Sequence, residues 1–244
     1  MESKPATEGT RDPEYLLPER VKEVQRLTDQ DTVIVSSMDN KRVLVPSEAF
    51  FPPSPPSHTS YAIHNLAEEW PTVMHGQYDL VHQRIAILGV GTTTTPQKAV
   101  SYLGALVAPG DWIQLGELDL RQPASGGQAI RDGWAVIRAV FKAVCTYDNI
   151  AQSIAGRLRE EGFEDVQEER CEIVLGPRCK GPVVAQTSID ITLQTWGALL
   201  EVAKSLNAEL EESVRENLIS RLETELSQEG GSHYMLYAYG RKPL

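Results

Sequence analysis

The chain has 244 residues, 41% of them hydrophobic, which suits one domain with a buried core or one domain carrying a helical insertion. Its formal net charge of −11 argues against nucleic acids and anionic membranes, because both are bound through Lys and Arg. The three cysteines form no Cys-x-x-Cys pair and predict no metal site. No signal-peptide pattern and no 18-residue apolar run occur, so a cytoplasmic protein is expected.

The first quarter of the chain contains four segments that differ in composition and in predicted structure. Residues 1–14 are polar and predict a disordered arm. Apolar residues at helical spacing predict a helix over 16–30, within an N-terminal region of 15–59. Two β-branched runs, 32–36 and 42–45, are separated by turn-forming residues and predict a hairpin. The proline-rich stretch that follows, up to residue 59, predicts an extended connector.

From residue 60 onward, hydrophobic periodicity predicts strands and helices that alternate. Strands are expected over 61–66, 78–88, 112–118, 166–175 and 233–239. Helices are expected over 96–106, 128–144, 150–161 and 191–226, the last with a break near Asn207. The strand, helix and strand between residues 78 and 118 predict a right-handed crossover in a parallel sheet.

Several short segments occur in an order that resembles a known family. They are YLLPERVKEVQRLTDQ at 15–30, IHNLAEEW at 63–70, YDLVHQR at 78–84, APGDW at 108–112 and YAYGRKP at 237–243. Together they resemble the class I S-adenosylmethionine-dependent methyltransferase-like proteins of fungal specialised-metabolite clusters, which include the LaeA-type regulators. The resemblance covers roughly residues 60–240, and its nearest form is that of methyltransferase-like proteins in terrequinone-type clusters.

The resemblance implies an α/β fold, namely a truncated Rossmann-like class I methyltransferase fold. Its sheet would be mostly parallel, with the family strand order three-two-one-four-five-seven-six. Residues 60–244 would form this degenerate domain, with lid helices inserted at 126–148 and 190–227.

The part of the family that holds the cofactor has no counterpart in the sequence. The family carries its first strand and a glycine-rich loop at this point, where backbone N–H groups approach the ligand at a helix N-terminus. Residues 31–50 contain no glycine. Gly89 and Gly91 form a Gly-x-Gly pattern that looks like a cofactor loop but is more typical of a strand-to-helix turn. No cofactor is therefore expected, and S-adenosylmethionine is expected only if those two glycines form a rebuilt loop.

Loss of the first strand would leave the fourth strand as an apolar edge, which invites pairing. The predicted hairpin over residues 32–45 is one candidate to cover that edge. It could do so within the chain or by exchange between two protomers, which predicts a homodimer.

Candidate site residues lie where open α/β sheets bind ligands, at the carboxyl ends of strands. His82 is a candidate general acid or base, with a structural histidine as the alternative. Arg84 is a candidate anchor for an anionic or quinone-like oxygen, unless it pairs with Glu117 or Asp119. The remaining substrate-binding candidates are Gln83, Gln114, Glu117 and Trp134, with Trp196 as a second aromatic that stacks on a ligand or belongs to the core.

Three functions remain open from the sequence. The first is a non-methylating protein of fungal secondary metabolism that binds a small aromatic intermediate, such as a bisindolylquinone, and assists or catalyses its conversion. The second is an active methyltransferase with an atypical cofactor site. The third is a non-catalytic subunit that binds a biosynthetic enzyme through the acidic helices of residues 191–226.

Overall fold

The computed structural model describes residues 20–46, 64–90, 93–121, 125–144 and 150–244, which fold around one hydrophobic core. The helices are α1 (Arg20–Ser37), α2 (Pro96–Leu106), α3 (Gln128–Val144), α4 (Ile150–Glu160), α5 (Pro182–Ser205), α6 (Glu212–Arg215) and α7 (Leu218–Gln228). The strands are β1 (Tyr78–Arg84), β2 (Val107–Leu118), β3 (Glu164–Leu175) and β4 (Gly231–Arg241). Short 3-10 turns span Thr72–Met74, Ile87–Val90 and Gly176–Arg178.

The four strands form one sheet in the order β1-β2-β4-β3. This order matches strands four, five, seven and six of the family to which the sequence has a resemblance, so the expected α/β fold is confirmed. Strands β1 and β2 are parallel and joined through α2, as predicted. The other two pairs are antiparallel, so the described sheet is mixed rather than mostly parallel.

Several predicted elements are confirmed, because their local signals are strong. Helix α2 begins at the predicted residue, Pro96, and the side chain of Thr95 caps it by accepting a hydrogen bond from the backbone N–H of Lys98. Helix α3 has the predicted bounds and carries its apolar residues on one face. The predicted break near Asn207 follows α5, and Asn207 has a left-handed backbone with φ 49°.

The predicted hairpin is wrong. Residues 32–36 belong to α1, which buries Val33 and Ile34 in the core, and residues 42–46 form no strand. Packing of an apolar helix face outweighs the β propensity of this short run. The element expected to cover β1 or to exchange between protomers therefore does not exist in that form. Within the described ranges, no strand pairs with the outer edge of β1.

Two further boundaries differ from the predictions. Strand β1 ends at Arg84, and residues 87–90 form a 3-10 turn instead of continuing the strand to residue 88. Residues 64–66 are not a strand, while residues 61–63 and the predicted arm of residues 1–14 lie outside the described residues. No helix in the described part of the chain has the length and apolar character needed to cross a membrane.

Candidate functional site

A cavity of about 430 Å³ lies at the end of the sheet where β1, β2 and β3 finish and β4 begins. Helix α1 and helix α5 supply further walls. The apolar lining includes Leu118, Ile137, Phe141, Ile173, Trp196 and Leu199. Carboxyl ends of strands are the usual ligand site in open α/β sheets, and a mostly apolar cavity with a few polar groups suits a small molecule.

One corner of the cavity is charged. Arg84, the last residue of β1, donates from Nη2 to Oδ1 of Asp31 on α1 at 2.5 Å. Arg42, beyond the end of α1, also pairs with Asp31. Burial raises the pKa of Asp31, but hydrogen bonds from Arg42 and Arg84 outweigh it, so the pKa of this carboxyl is lowered overall. Asp31 is therefore ionised at neutral pH and ties α1 to the sheet.

The other terminal nitrogen of Arg84 is enclosed by the protein. Its Nη1 is buried and has no hydrogen-bond partner within the described ranges. The guanidinium lies close enough to the phenol of Tyr237 to lower its pKa, although burial dominates and raises the pKa of Tyr237 to about 12. Gly116 makes room for that ring, because a Cβ at Gly116 would lie 2.4 Å from Cε1 of Tyr237.

His82 also lines the cavity, and its neighbours fix its tautomer. Gln114 accepts from the backbone N–H of Leu44 at 2.6 Å through Oε1, which turns its Nε2 toward Nδ1 of His82 at 3.2 Å. Since an amide Nε2 can only donate, Nδ1 of His82 accepts and the ring proton resides on Nε2. Burial, helped by the nearby Arg84, lowers the pKa of His82 to about 4. This geometry favours a neutral hydrogen-bond donor over a general base.

His233, the third residue of β4, lines the cavity away from Arg84. Its Nδ1 is buried without a hydrogen-bond partner in the described part of the chain. Burial lowers the pKa of His233 to about 4, so the ring is neutral at pH 7. Trp134 packs 5.5 Å from this ring and 6.4 Å from Trp196, measured between ring centroids.

Glu117 and Gln83 do not line the cavity, because they alternate with its lining residues along their strands. Oε1 of Glu117 accepts from Nε2 of Gln83 at 3.0 Å and from the backbone N–H groups of Ala86 and Ile87 at 2.9 and 2.7 Å. Burial raises the pKa of Glu117 to about 7 despite these bonds. Ile85, in the same turn, has a left-handed backbone with φ 52°, a strained state for a β-branched residue.

Of the seven candidate site residues, the structure places three on the cavity, His82, Arg84 and Trp196. Gln114 is fully buried and anchors residues 42–44, and Trp134 is 2% exposed behind the cavity wall. The alternative in which Arg84 pairs with Glu117 or Asp119 is wrong, since its partner is Asp31. Sequence reasoning missed the roles of Arg26, Asp31, Arg42 and His233, which also line the cavity. The usable signal in the sequence was the position of residues 82–84 at the carboxyl end of a predicted strand.

The described residues do not fit a methyl-donor cofactor. The outer edge of β1, where the family carries its first strand, has no partner strand within those residues. Gly89 lies in a 3-10 turn and its N–H donates to the carbonyl of Ala86, while Glu117 accepts from the N–H of Ile87. These donors are therefore not directed at a ligand, and Gly91 lies outside the described residues. No cluster of His, Cys, Asp or Glu suited to a metal ion occurs in the described ranges either.

Comparisons with known proteins point to fungal methyltransferases, although no family model matches. Over 190 residues the chain is 29% identical to methyltransferase psoC of Aspergillus fumigatus, covering 78% of this chain and 69% of that protein. It is 33% identical over 132 residues to N-methyltransferase sirN of Leptosphaeria maculans, covering 53% and 46% respectively. It is 29% identical over 207 residues to N-methyltransferase tcpN of Claviceps purpurea, covering 80% and 71%. These similarities support a relation to fungal methyltransferases.

Solved structures share less sequence identity with this chain than these fungal relatives do. Phosphoethanolamine N-methyltransferase 2 of Haemonchus contortus aligns with a TM-score of 0.37 at 13% identity, over 74% of this chain and 36% of that chain. The [4+2]-cyclase SpnF aligns with a TM-score of 0.36 at 15% identity, over 75% and 55%.

Proposed function

We propose that this chain binds a small aromatic intermediate of fungal secondary metabolism and assists or catalyses its conversion without transferring a methyl group. The relatives support the metabolic setting, because three named fungal methyltransferases share about 30% of matched residues with it. The cavity at the end of the sheet supports the binding role, because it combines apolar and aromatic walls with a charged corner.

The observation that carries the proposal is the contrast between the cavity and the expected donor site. The cavity offers Trp196 and Phe141 as flat apolar surfaces, which favour stacking with an aromatic ring. In the turn after β1, in contrast, the N–H groups of Ala86 and Ile87 donate to Glu117, and the N–H of Gly89 donates to the carbonyl of Ala86. The cavity therefore supports binding of an aromatic molecule, and the turn after β1 gives no support for a methyl donor.

The polar groups suggest how the cavity could act on its ligand. The neutral imidazole of His82 and the positively charged Arg84 lie two residues apart on β1 and both line the cavity. Such donors polarise a carbonyl and stabilise negative charge as it develops on the oxygen, as in enolisation or cyclisation. A bisindolylquinone, with two carbonyls between two aromatic groups, has the matching chemistry.

Binding can be tested with a bisindolyl dihydroxybenzoquinone, using quenching of tryptophan fluorescence and calorimetry. We expect saturable binding to the wild-type chain and loss of binding in Leu199→Trp, because the larger ring fills the cavity. Gln194→Trp, on an exposed position of the same helix, is the matched control and should bind normally. Equal binding by wild type and Leu199→Trp would contradict this site.

An active methyltransferase with an atypical cofactor site is the second candidate, favoured by the names of the relatives. It requires S-adenosylmethionine to stabilise the folded chain by mass action. We expect no rise in melting temperature at saturating S-adenosylmethionine or S-adenosylhomocysteine. A rise of several degrees would restore methyl transfer as the function.

The roles in assembly stay predictions. The acidic helices pack within the chain, since α5 and α7 contact α3 and each other, which weakens their use as a docking arm for a biosynthetic enzyme. A homodimer stays a prediction without the hairpin as its basis. Sedimentation velocity at micromolar concentration measures it directly, and a monomer would contradict it.

A further inference from the structure

A glycine inside α3 lies directly against the largest side chain of the cavity wall. Gly133 is buried, and a Cβ built on it would lie 2.1 Å from Cε3 and 2.3 Å from Cζ3 of Trp196 on α5. Both atoms belong to the six-membered ring of the indole, so this ring rests on the backbone of α3. Because glycine is a poor helix former, its place inside a helix is best explained by a contact that leaves no room for a side chain.

This contact sets the position of one wall of the cavity. Trp196, Ile137 and Phe141 all line the cavity. Gly133, Ile137 and Phe141 follow one another at intervals of four residues, so they lie on one face of α3. Trp196 is 5% exposed and packs 6.4 Å from Trp134, measured between ring centroids. The distance of its ring from α3 therefore decides how far the ring reaches into the cavity.

A side chain at residue 133 would change that distance. Carbon atoms in van der Waals contact lie about 3.5–4.0 Å apart, so a methyl group there would displace the ring of Trp196 by roughly 1.5 Å. Packed protein interiors contain few voids that accept such a shift. The cavity of about 430 Å³ that Trp196 lines offers the room. We therefore expect the ring to move into the cavity.

We propose that Gly133 determines which ligands the cavity accepts, because it lets the ring of Trp196 lie against α3 and so keeps the cavity wide enough for a molecule with two aromatic ring systems. Gly133 acts through Trp196 and is therefore a positioning residue. This inference rests on the proposed function and identifies the residue that selects the ligand of the same site by its size.

Two probes that differ in size test the proposal. They are the bisindolyl dihydroxybenzoquinone and its analogue with a single indole, each titrated into the full chain by calorimetry. We expect the wild type to bind both. Gly133→Ala should weaken binding of the bisindolyl probe about tenfold, the usual effect of one misplaced methyl group in an apolar pocket, and that of the smaller probe less than about twofold. The smaller probe can bind beside the displaced ring.

A second substitution assigns the effect to the contact with Trp196. Phenylalanine has no atoms at the Cε3–Cζ3 edge, so Trp196→Phe removes the group that residue 133 meets. In the Trp196→Phe background, Gly133→Ala should weaken binding of the bisindolyl probe less than about twofold.

Gly156→Ala is the matched control. This glycine lies at an exposed position of α4, where a new Cβ would meet open space. The control should leave both affinities unchanged and raise the melting temperature by roughly 1–2 °C, since alanine favours a helix. Gly133→Ala should instead lower the melting temperature by about 5 °C, because it overpacks the contact between α3 and α5.

The outcomes separate this inference from the proposed function. Equal effects of Gly133→Ala on both probes, the same selective loss in the Trp196→Phe background, or a melting temperature that rises as in Gly156→Ala would overturn the role of Gly133 and leave cavity binding standing. If Gly133→Ala alone does not fold, the double variant decides. A folded double variant that binds both probes supports the contact, and an unfolded one contradicts it. Failure of both probes to bind the wild-type chain would overturn the inference together with the proposed function.

Discussion

Neighbouring residues at the end of β1 have opposite roles on the two faces of the sheet. His82 and Arg84 line a cavity, whereas Gln83, between them, joins Glu117 in a buried hydrogen-bonded clamp. On the cavity face Asp31 pairs with Arg84 and Arg42, and on the other face one carboxyl oxygen accepts from three donors. Each face also keeps buried polar atoms without a partner among the described residues, namely Nη1 of Arg84 on one face and Oε1 of Gln83 and Oε2 of Glu117 on the other. The two faces differ in the space beside them, since only the cavity face has room for a ligand.

Removing the clamp should have the largest effect on stability. In Glu117→Ala, Gln83 and the N–H groups of Ala86 and Ile87 lose their shared acceptor, and the strained Ile85 turn loses its support. We expect the free energy of unfolding to fall by about 3 kcal/mol in urea denaturation. Glu168→Ala, an exposed glutamate on β3, should change it by less than about 0.5 kcal/mol. A small loss in Glu117→Ala would show that the clamp is not structural.

The clamp also predicts a pH dependence. Because the pKa of Glu117 is raised to about 7, the folded chain holds a proton that the unfolded chain releases near pH 4.5. Stability from this group is therefore present below pH 4.5 and is lost as the pH rises through 7, by at most about 3 kcal/mol. Glu117→Gln mimics the protonated form and should flatten stability between pH 5 and 8. Parallel wild-type and Glu117→Gln curves would contradict this assignment.

The cavity face predicts the opposite slope at lower pH. Burial lowers the pKa values of His82 and His233 to about 4, so the folded chain resists protonation that the unfolded chain accepts near pH 6.5. Stability is complete above pH 6.5 and is lost as the pH falls toward 4, by at most about 3 kcal/mol for each histidine. Thermal melts of His233→Gln between pH 4 and 7 should show a shallower loss than the wild type. An unchanged slope would mean that His233 is solvated.

The smallest expected change in stability comes from the link between the two cavity walls. Asp31→Asn weakens the ion pairs with Arg84 and Arg42 and should cost about 1 kcal/mol in denaturation. A loss of several kcal/mol would show that Asp31 and Arg84 behave as a buried ion pair that holds α1 on the sheet.

Sequence reasoning succeeded where the signal was local. The Thr95–Pro96 start of α2, the apolar face of α3 and the break near Asn207 each depend on a few adjacent residues. It failed at residues 32–36, where burial of Val33 and Ile34 by tertiary packing overrode a β-branched run.

The site was harder to predict than the fold. Their place at the carboxyl end of a predicted strand identified His82, Gln83 and Arg84 but could not say which of them face a cavity. Asp31 and His233 reach the cavity from elements 53 residues before and 149 residues after Arg84, and no spacing in the sequence encodes that approach. Long-range packing, which a single sequence does not display, therefore decides the composition of the site.

The proposed function requires that this chain bind an aromatic ligand without a methyl donor. The most direct test is a calorimetric titration of the wild-type chain with a bisindolyl dihydroxybenzoquinone, with and without saturating S-adenosylmethionine. We expect one-to-one binding with the same affinity in both titrations. Binding that requires S-adenosylmethionine, or no binding in either titration, would contradict the claim.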